Sequence, residues 1–174
     1  SRGLGDVYKR QVQAWTLWLI RSSRPGDAAS LFHIFTSVVR DHDVGIAQYL
    51  LPHLVLHILI SGSSQQRRTV LGESLAVLAD QAHPALGYEP ERRRLTAQTL
   101  FHVLDHVGHW MRRMRLVPLR MARRSRWRDA LSDVQAIMDE LSPDLLAQAS
   151  LQCDAYARAL LHFEYRIRAM RPQP

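Results

Sequence analysis

Four side chains at helical spacing carry the strongest chemical suggestion in this 174-residue chain: His102, Asp105, His106 and His109. Separations of three and four residues put them on one face of a helix, near enough to share a metal ion. A metal-dependent helical-bundle enzyme is therefore one reading. Two-histidine-plus-carboxylate sites usually draw ligands from more than one element, however, and no flanking residue completes a catalytic metal motif here. His53 and His57 repeat the spacing inside a strongly apolar stretch, where a neutral imidazole meets a neighbouring polar group. Histidine is an ordinary occupant of half-exposed helices, so both sets read first as structural and no metal site is assigned.

The second constellation is basic. Arg112, Arg113, Arg115, Arg120, Arg123, Arg124, Arg126 and Arg128 follow one another with no acid before Asp129, and Trp110 and Trp127 flank the run. Guanidinium groups bind phosphates bidentately and exposed indoles stack on bases. Arg120, Arg123, Arg124 and Arg126 are thus the candidate contacts to a partner or to single-stranded nucleic acid. The plainer reading is a solvated loop in an arginine-biased sequence, since Lys9 is the only lysine. Basic clusters alone are weak indicators, and direct nucleic-acid contact is not expected.

Other chemistry lacks its residues. There is no Gly-rich phosphate loop, no aspartate–asparagine pair for magnesium, and no serine or cysteine in a nucleophile elbow. No catalytic residue and no cofactor are expected in this chain. The single cysteine, Cys153, excludes a disulfide framework and a four-cysteine zinc site, and suits a reducing compartment. It lies on an apolar stripe and should be buried and inert.

The elements that would position these groups all read as helix. A net charge of +7, 47% hydrophobic residues and only eight Gly and eight Pro describe a globular chain. Leu31, Phe32, Phe35, Val38 and Val39 give one apolar stripe on a helix over 27–41. Ile46, Leu50, Leu54 and Ile58 mark a helix over 44–61 that is apolar on several sides, with Pro52 expected to kink or split it. Pro52, His53 and His57 also break the longest apolar run, Tyr49 to Ile60, so no membrane span is expected. Further helices are expected over 65–82, over 92–116, and around Leu131 to Leu141.

Ser142-Pro143-Asp144 is a start signal, after which Leu145, Ala149, Cys153, Tyr156, Leu160, Phe163 and Ile167 hold one unbroken stripe. The expected fold is all-α, an α-solenoid of HEAT/TPR-like antiparallel helix pairs cut from a larger superhelix. The chain starts at Ser1 and its first methionine is Met111, which reads as an internal piece of a longer frame. Asp6 to Gln11 also reads as the in-frame translation of a transposase adapter, so residues 1–11 are set aside as a non-native scar.

Three stretches carry a family resemblance: YLLPHLVLHILI (49–60), LTAQTLFHVLDHVGHW (95–110) and LSPDLLAQASLQCDAYARALLHFEYRI (141–167). The last resembles the opening FAT helix of the phosphatidylinositol 3-kinase-related kinases. The first two are similar to the ATR-type checkpoint kinases of that family. Of the helix histidines, only His106 falls where the family pattern has one.

The resemblance implies a helical solenoid over 12–141 preceding FAT, and the start of the FAT domain over 142–174. It implies a nuclear serine/threonine kinase of the DNA damage and replication checkpoint, whose ATP and magnesium sit in a kinase domain outside this chain. The partners implied are the remaining FAT and kinase domains in cis, a regulatory partner subunit, and a homodimer of that heterodimer. The alternative from the residues alone is a stand-alone α-helical adaptor binding protein or nucleic acid through Arg112–Arg128.

Overall fold

A computed structural model describes residues 2–23, 27–41, 44–83, 90–116 and 124–170. Every regular element among them is an α-helix: α1 (Arg2–Ser22), α2 (Asp27–Ile34), α3 (Thr36–Asp41), α4 (Val44–Ser61), α5 (Ser64–Ala82), α6 (Pro90–Leu116), α7 (Arg124–Asp139), α8 (Pro143–Gln152) and α9 (Tyr156–Met170). The all-α solenoid expectation holds.

Helix α4 is the hub. Ala47, Leu50, Leu51, Pro52, Leu54, Val55, Ile58 and Leu59 are all buried, because α1, α5, α6 and α7 each cover part of its surface. Residues buried on several sides need no polar face, which is why the stretch shows little amphipathicity. By length and composition α4 is apolar enough to cross a membrane. Contrary to expectation, Pro52, His53 and His57 do not interrupt it; its neighbours account for its apolar character.

Two apolar clusters follow from this arrangement. The larger joins Leu19 and Ile20 of α1 and Val39 of α3 to α4, with Val103, Val107 and Met111 of α6 and Val134 of α7. The second joins Leu71 and Leu78 of α5, Leu100 and Phe101 of α6, and Leu146 and Ala149 of α8, with Cys153. Helix α6 has a face in each cluster and ties them together. Cys153 is buried, as expected, and burial pushes its thiol pKa up.

The segment set aside as a scar is helical from Arg2, and its Tyr8 joins the larger cluster. Gln48 Nε2 donates to the Tyr8 hydroxyl at 2.7 Å. Thr99 spends its proton on the Leu95 carbonyl, so Tyr8 donates to Thr99 Oγ1 at 2.5 Å. A fold built without residues 1–11 lacks these contacts.

Two expected helices are each broken in two. The 27–41 helix stops at a turn on Phe35, whose N–H bonds the Phe32 carbonyl three residues back. Of its expected stripe only Val39 is buried, Phe32 and Val38 are half-buried, and Leu31 and Phe35 are exposed. The long stripe after Ser142 breaks at Cys153-Asp154-Ala155. Asp154 adopts φ 59°, and Ala155 N–H reaches back to Ser150 O while Asp154 N–H bonds Leu151 O. That is a left-handed helix terminator with Asp154 at the position glycine usually takes.

Candidate functional site

The histidines are brought near one another but do not converge on a point. His53 of α4 meets His106 of α6 ring to ring, 4.4 Å between centroids at 71°. His57 turns the other way and packs edge-on to Phe32 at 5.7 Å. Burial lowers the pKa of His57. His106 is lowered by burial first and then by His53, His102 and His109. Both shifts favour the neutral form of the imidazole. Among the described residues, no three His, Cys, Asp or Glu side chains gather as metal ligands would.

Asp105, the carboxylate of that set, is held elsewhere. Arg158 of α9 donates to its Oδ1 at 2.8 Å and its Oδ2 at 2.6 Å, with the guanidinium carbon 4.8 Å from the centre of the Phe101 ring. A fork on a carboxylate combined with an aromatic platform is an arrangement lysine cannot supply.

The arginine run is only partly described. Arg112, Arg113 and Arg115 project from the last turns of α6 into solvent. Arg115 donates to Gln135 of α7, which donates in turn to Asp139 at 2.6 Å. Arg120 and Arg123 lie outside the described residues. Arg124 and Arg126 begin α7, and their side chains also lie outside the description. The two tryptophans are not equivalent: Trp127 is 47% exposed, whereas Trp110 packs against the larger cluster. Of the two flanking indoles, Trp127 is the more open to a base.

Other arginines bridge helices. Arg67 of α5 binds Asp133 of α7 at 2.6 Å and the Ile60 carbonyl at the end of α4 at 3.1 Å. Arg94 of α6 reaches Asp154 at 3.0 Å, and Arg166 of α9 reaches Asp144 of α8 at 2.5 Å. Sequence reasoning missed all of these pairs. Partners such as Arg67 and Asp133 are far apart in the chain, so no local spacing marks them.

An apolar cleft of about 310 Å³ opens among α1, α4, α5 and α6, lined by Trp15, Trp18, Leu51, Val77 and Leu100, with Glu73 as its one acid. Gln11, Thr96 and Thr99 add polar groups to its wall, but it holds no histidine, cysteine or second carboxylate to form an acid–base or metal pair. The more prominent surface is on α9, where Tyr156, Leu160, Leu161, Tyr165, Ile167 and Met170 are all exposed. What the described surface provides is contact area, and no reaction centre is assembled on it.

Comparison with known proteins gives the family of this helical array. The family model described as the M-HEAT region of serine/threonine-protein kinase ATR matches residues 4–173. Serine/threonine-protein kinase ATR of Oryza sativa subsp. indica is 28% identical over 94% of this chain and 7% of its own length. Protein kinase rad3 of Schizosaccharomyces pombe is 26% identical over 93% of this chain and 8% of its own. Serine/threonine-protein kinase ATR of Arabidopsis thaliana is 27% identical over 94% and 7%. The chain thus spans less than a tenth of the length of these relatives. No solved structure matches it.

Proposed function

The chain belongs to the family of the M-HEAT region of serine/threonine-protein kinase ATR, and from that premise we propose that it is a non-catalytic scaffold segment of an ATR-like checkpoint kinase. The family match over residues 4–173 carries the proposal. In this reading the helices give mechanical support to a kinase domain elsewhere in the parent protein. That domain holds the ATP and magnesium, and the parent acts in the nucleus in the response to DNA damage and stalled replication.

The chemistry on the surface supports a mechanical role. Helix-bridging pairs such as Arg67–Asp133 and Arg158–Asp105 fix the angle of one helix on the next. Two apolar clusters sharing α6 resist bending between them. A stacked array of this kind transmits load because each unit packs on its neighbours. Contacts with FAT and kinase domains in cis, with a regulatory subunit, and across a dimer of heterodimers belong to the same proposal.

The test is the full coding sequence, expressed and assayed. The proposal expects further helical repeats after residue 174 and then a kinase domain that phosphorylates serine or threonine. A frame that ends shortly after residue 174, or continues into an unrelated domain, would overturn it. Salt-sensitive oligonucleotide binding, lost when Arg120, Arg123, Arg124 and Arg126 become glutamine, would favour the adaptor reading instead.

A further inference from the structure

We propose that the cleft among α1, α4, α5 and α6 is a binding site for a small organic cation, an ammonium group carried on an apolar body. The cleft exists because α1 and α5 each pack on α4 and α6 but scarcely on each other. Gln11, Ala14, Trp15 and Trp18 follow the spacing of one helix face, so a single side of α1 forms one wall. Ala14, a lone methyl group on that face, leaves the room. Leu51 of α4 is fully buried and lies at the floor.

The polar groups on the walls select the charge of the occupant. Glu73 of α5 is the only charged residue lining the cleft. It is exposed and has no ion-pair or hydrogen-bond partner among the described residues. Thr96 and Thr99 of α6 spend their hydroxyl protons on the carbonyls of Arg92 and Leu95, at 2.9 and 3.0 Å. Both hydroxyls can therefore only accept from an occupant. The Gln11 amide can serve either way. A carboxylate, two accepting hydroxyls and two indoles attract a cationic donor and repel a carboxylate or phosphate. Tryptophan is also the strongest aromatic partner for an organic ammonium ion.

Size and shape favour a free small molecule over a folded partner. About 310 Å³ walled by four helices lies at the lower end of the cavities that take small ligands. A flat protein surface could not enter it. The site adds a ligand to the helical array, and its failure would leave the scaffold reading untouched.

Photolabelling of the full-length protein at pH 7 tests this. The probe is a benzylamine carrying a trifluoromethyl diazirine, cationic at that pH. The matching benzyl alcohol and benzoic acid are its neutral and anionic counterparts. The amine is expected to form adducts on α1 and α5 peptides containing Trp15, Trp18 or Glu73, about tenfold more than the alcohol at equal concentration, with the acid lowest. Glu73→Gln should cut labelling by the amine several-fold and leave labelling by the alcohol unchanged. Because Glu73 is exposed, this variant keeps the fold. Ala14→Phe fills the cleft from an exposed position and should abolish adducts there with all three probes. Equal labelling by amine and alcohol, amine labelling indifferent to either substitution, or no adduct in the cleft would overturn the proposal.

Discussion

Arg158 of α9 holds Asp105 of α6 through both ends of its guanidinium, at 2.8 and 2.6 Å, across 53 residues of sequence. The hydrogen bonds to Asp105 push the Arg158 pKa up, against a smaller opposing effect of burial. This pairing gives Asp105 a role in fixing a helix, in place of the metal ligation its spacing first suggested.

Removing that clamp should loosen α9 without unfolding the rest. Arg158 is about a quarter exposed and Asp105 more than half, so the bidentate pair is worth about 1 kcal/mol. Arg158→Ala is expected to lower the unfolding free energy by that amount, read from the shifted denaturation midpoint, and to speed amide exchange in α9. Arg158→Lys should recover little, because it lacks the fork. Unchanged exchange in α9 would show that the pair is decorative.

Stability should fall on mild acidification. His57, His106 and His162 all have pKa values lowered in the folded state, each by burial first. Their unfolded pKa is about 6.5, so below that pH the unfolded chain binds more protons than the folded one. Stability is then full above about pH 7.5 and declines as pH drops through 6.5. Urea midpoints at pH 7.5 and 5.5 measure this, and His106→Asn should flatten part of the slope. A midpoint that rises on acidification would contradict the assignment.

Gly62 cannot accept a side chain. A Cβ there would lie 2.4 Å from the Ile58 carbonyl oxygen, a backbone atom that cannot swing away. The close approach exists because Gly62 N–H closes the end of α4 on that same carbonyl at 2.8 Å. Gly62→Ala is expected to cost about 1–3 kcal/mol by displacing the link to α5. A thermal melt matching the parent would show that the turn has slack.

Exposed leucine and isoleucine on α9 should make the isolated chain self-associate. Light scattering coupled to size exclusion is expected to show mass rising with concentration. Leu160→Glu with Ile167→Glu should restore a monomer and leave the melting temperature within a few degrees, since neither side chain is buried. Monomeric behaviour of the unaltered chain at high concentration would count against the uncovered-face account.

Much of this architecture was legible in the sequence. The four-residue spacing of Ile46, Leu50, Leu54 and Ile58 located α4 to the residue, and the Ser142-Pro143-Asp144 signal located α8. Ser142 does not cap with its side chain, however; proline at the first position suffices. The Ser63–Gln66 capping box opens α5 one residue before the helix expected over 65–82.

The break at Asp154 was hidden for a physical reason. The apolar stripe keeps its phase from Ala149 to Tyr156 straight across the turn, and an aspartate in the left-handed conformation has no periodic signature. Which half of that stripe is covered was equally hidden: Ala149 and Cys153 are buried while Tyr156 and Leu160 are not. Periodicity reports that a face is apolar, and only the tertiary neighbours decide whether anything lies against it. The arginine bridges were illegible for the same reason, since a charge on a helix surface gives no hint of a partner dozens of residues away.

The most direct measurement is a side-chain-resolution reconstruction of the full-length parent protein. The account predicts that α4 to α9 appear there in the arrangement described, continuous with further helices and bearing on a kinase domain, with Leu160 and Ile167 covered. Finding this segment as a detached globule with α9 in solvent, remote from any kinase domain, would contradict it.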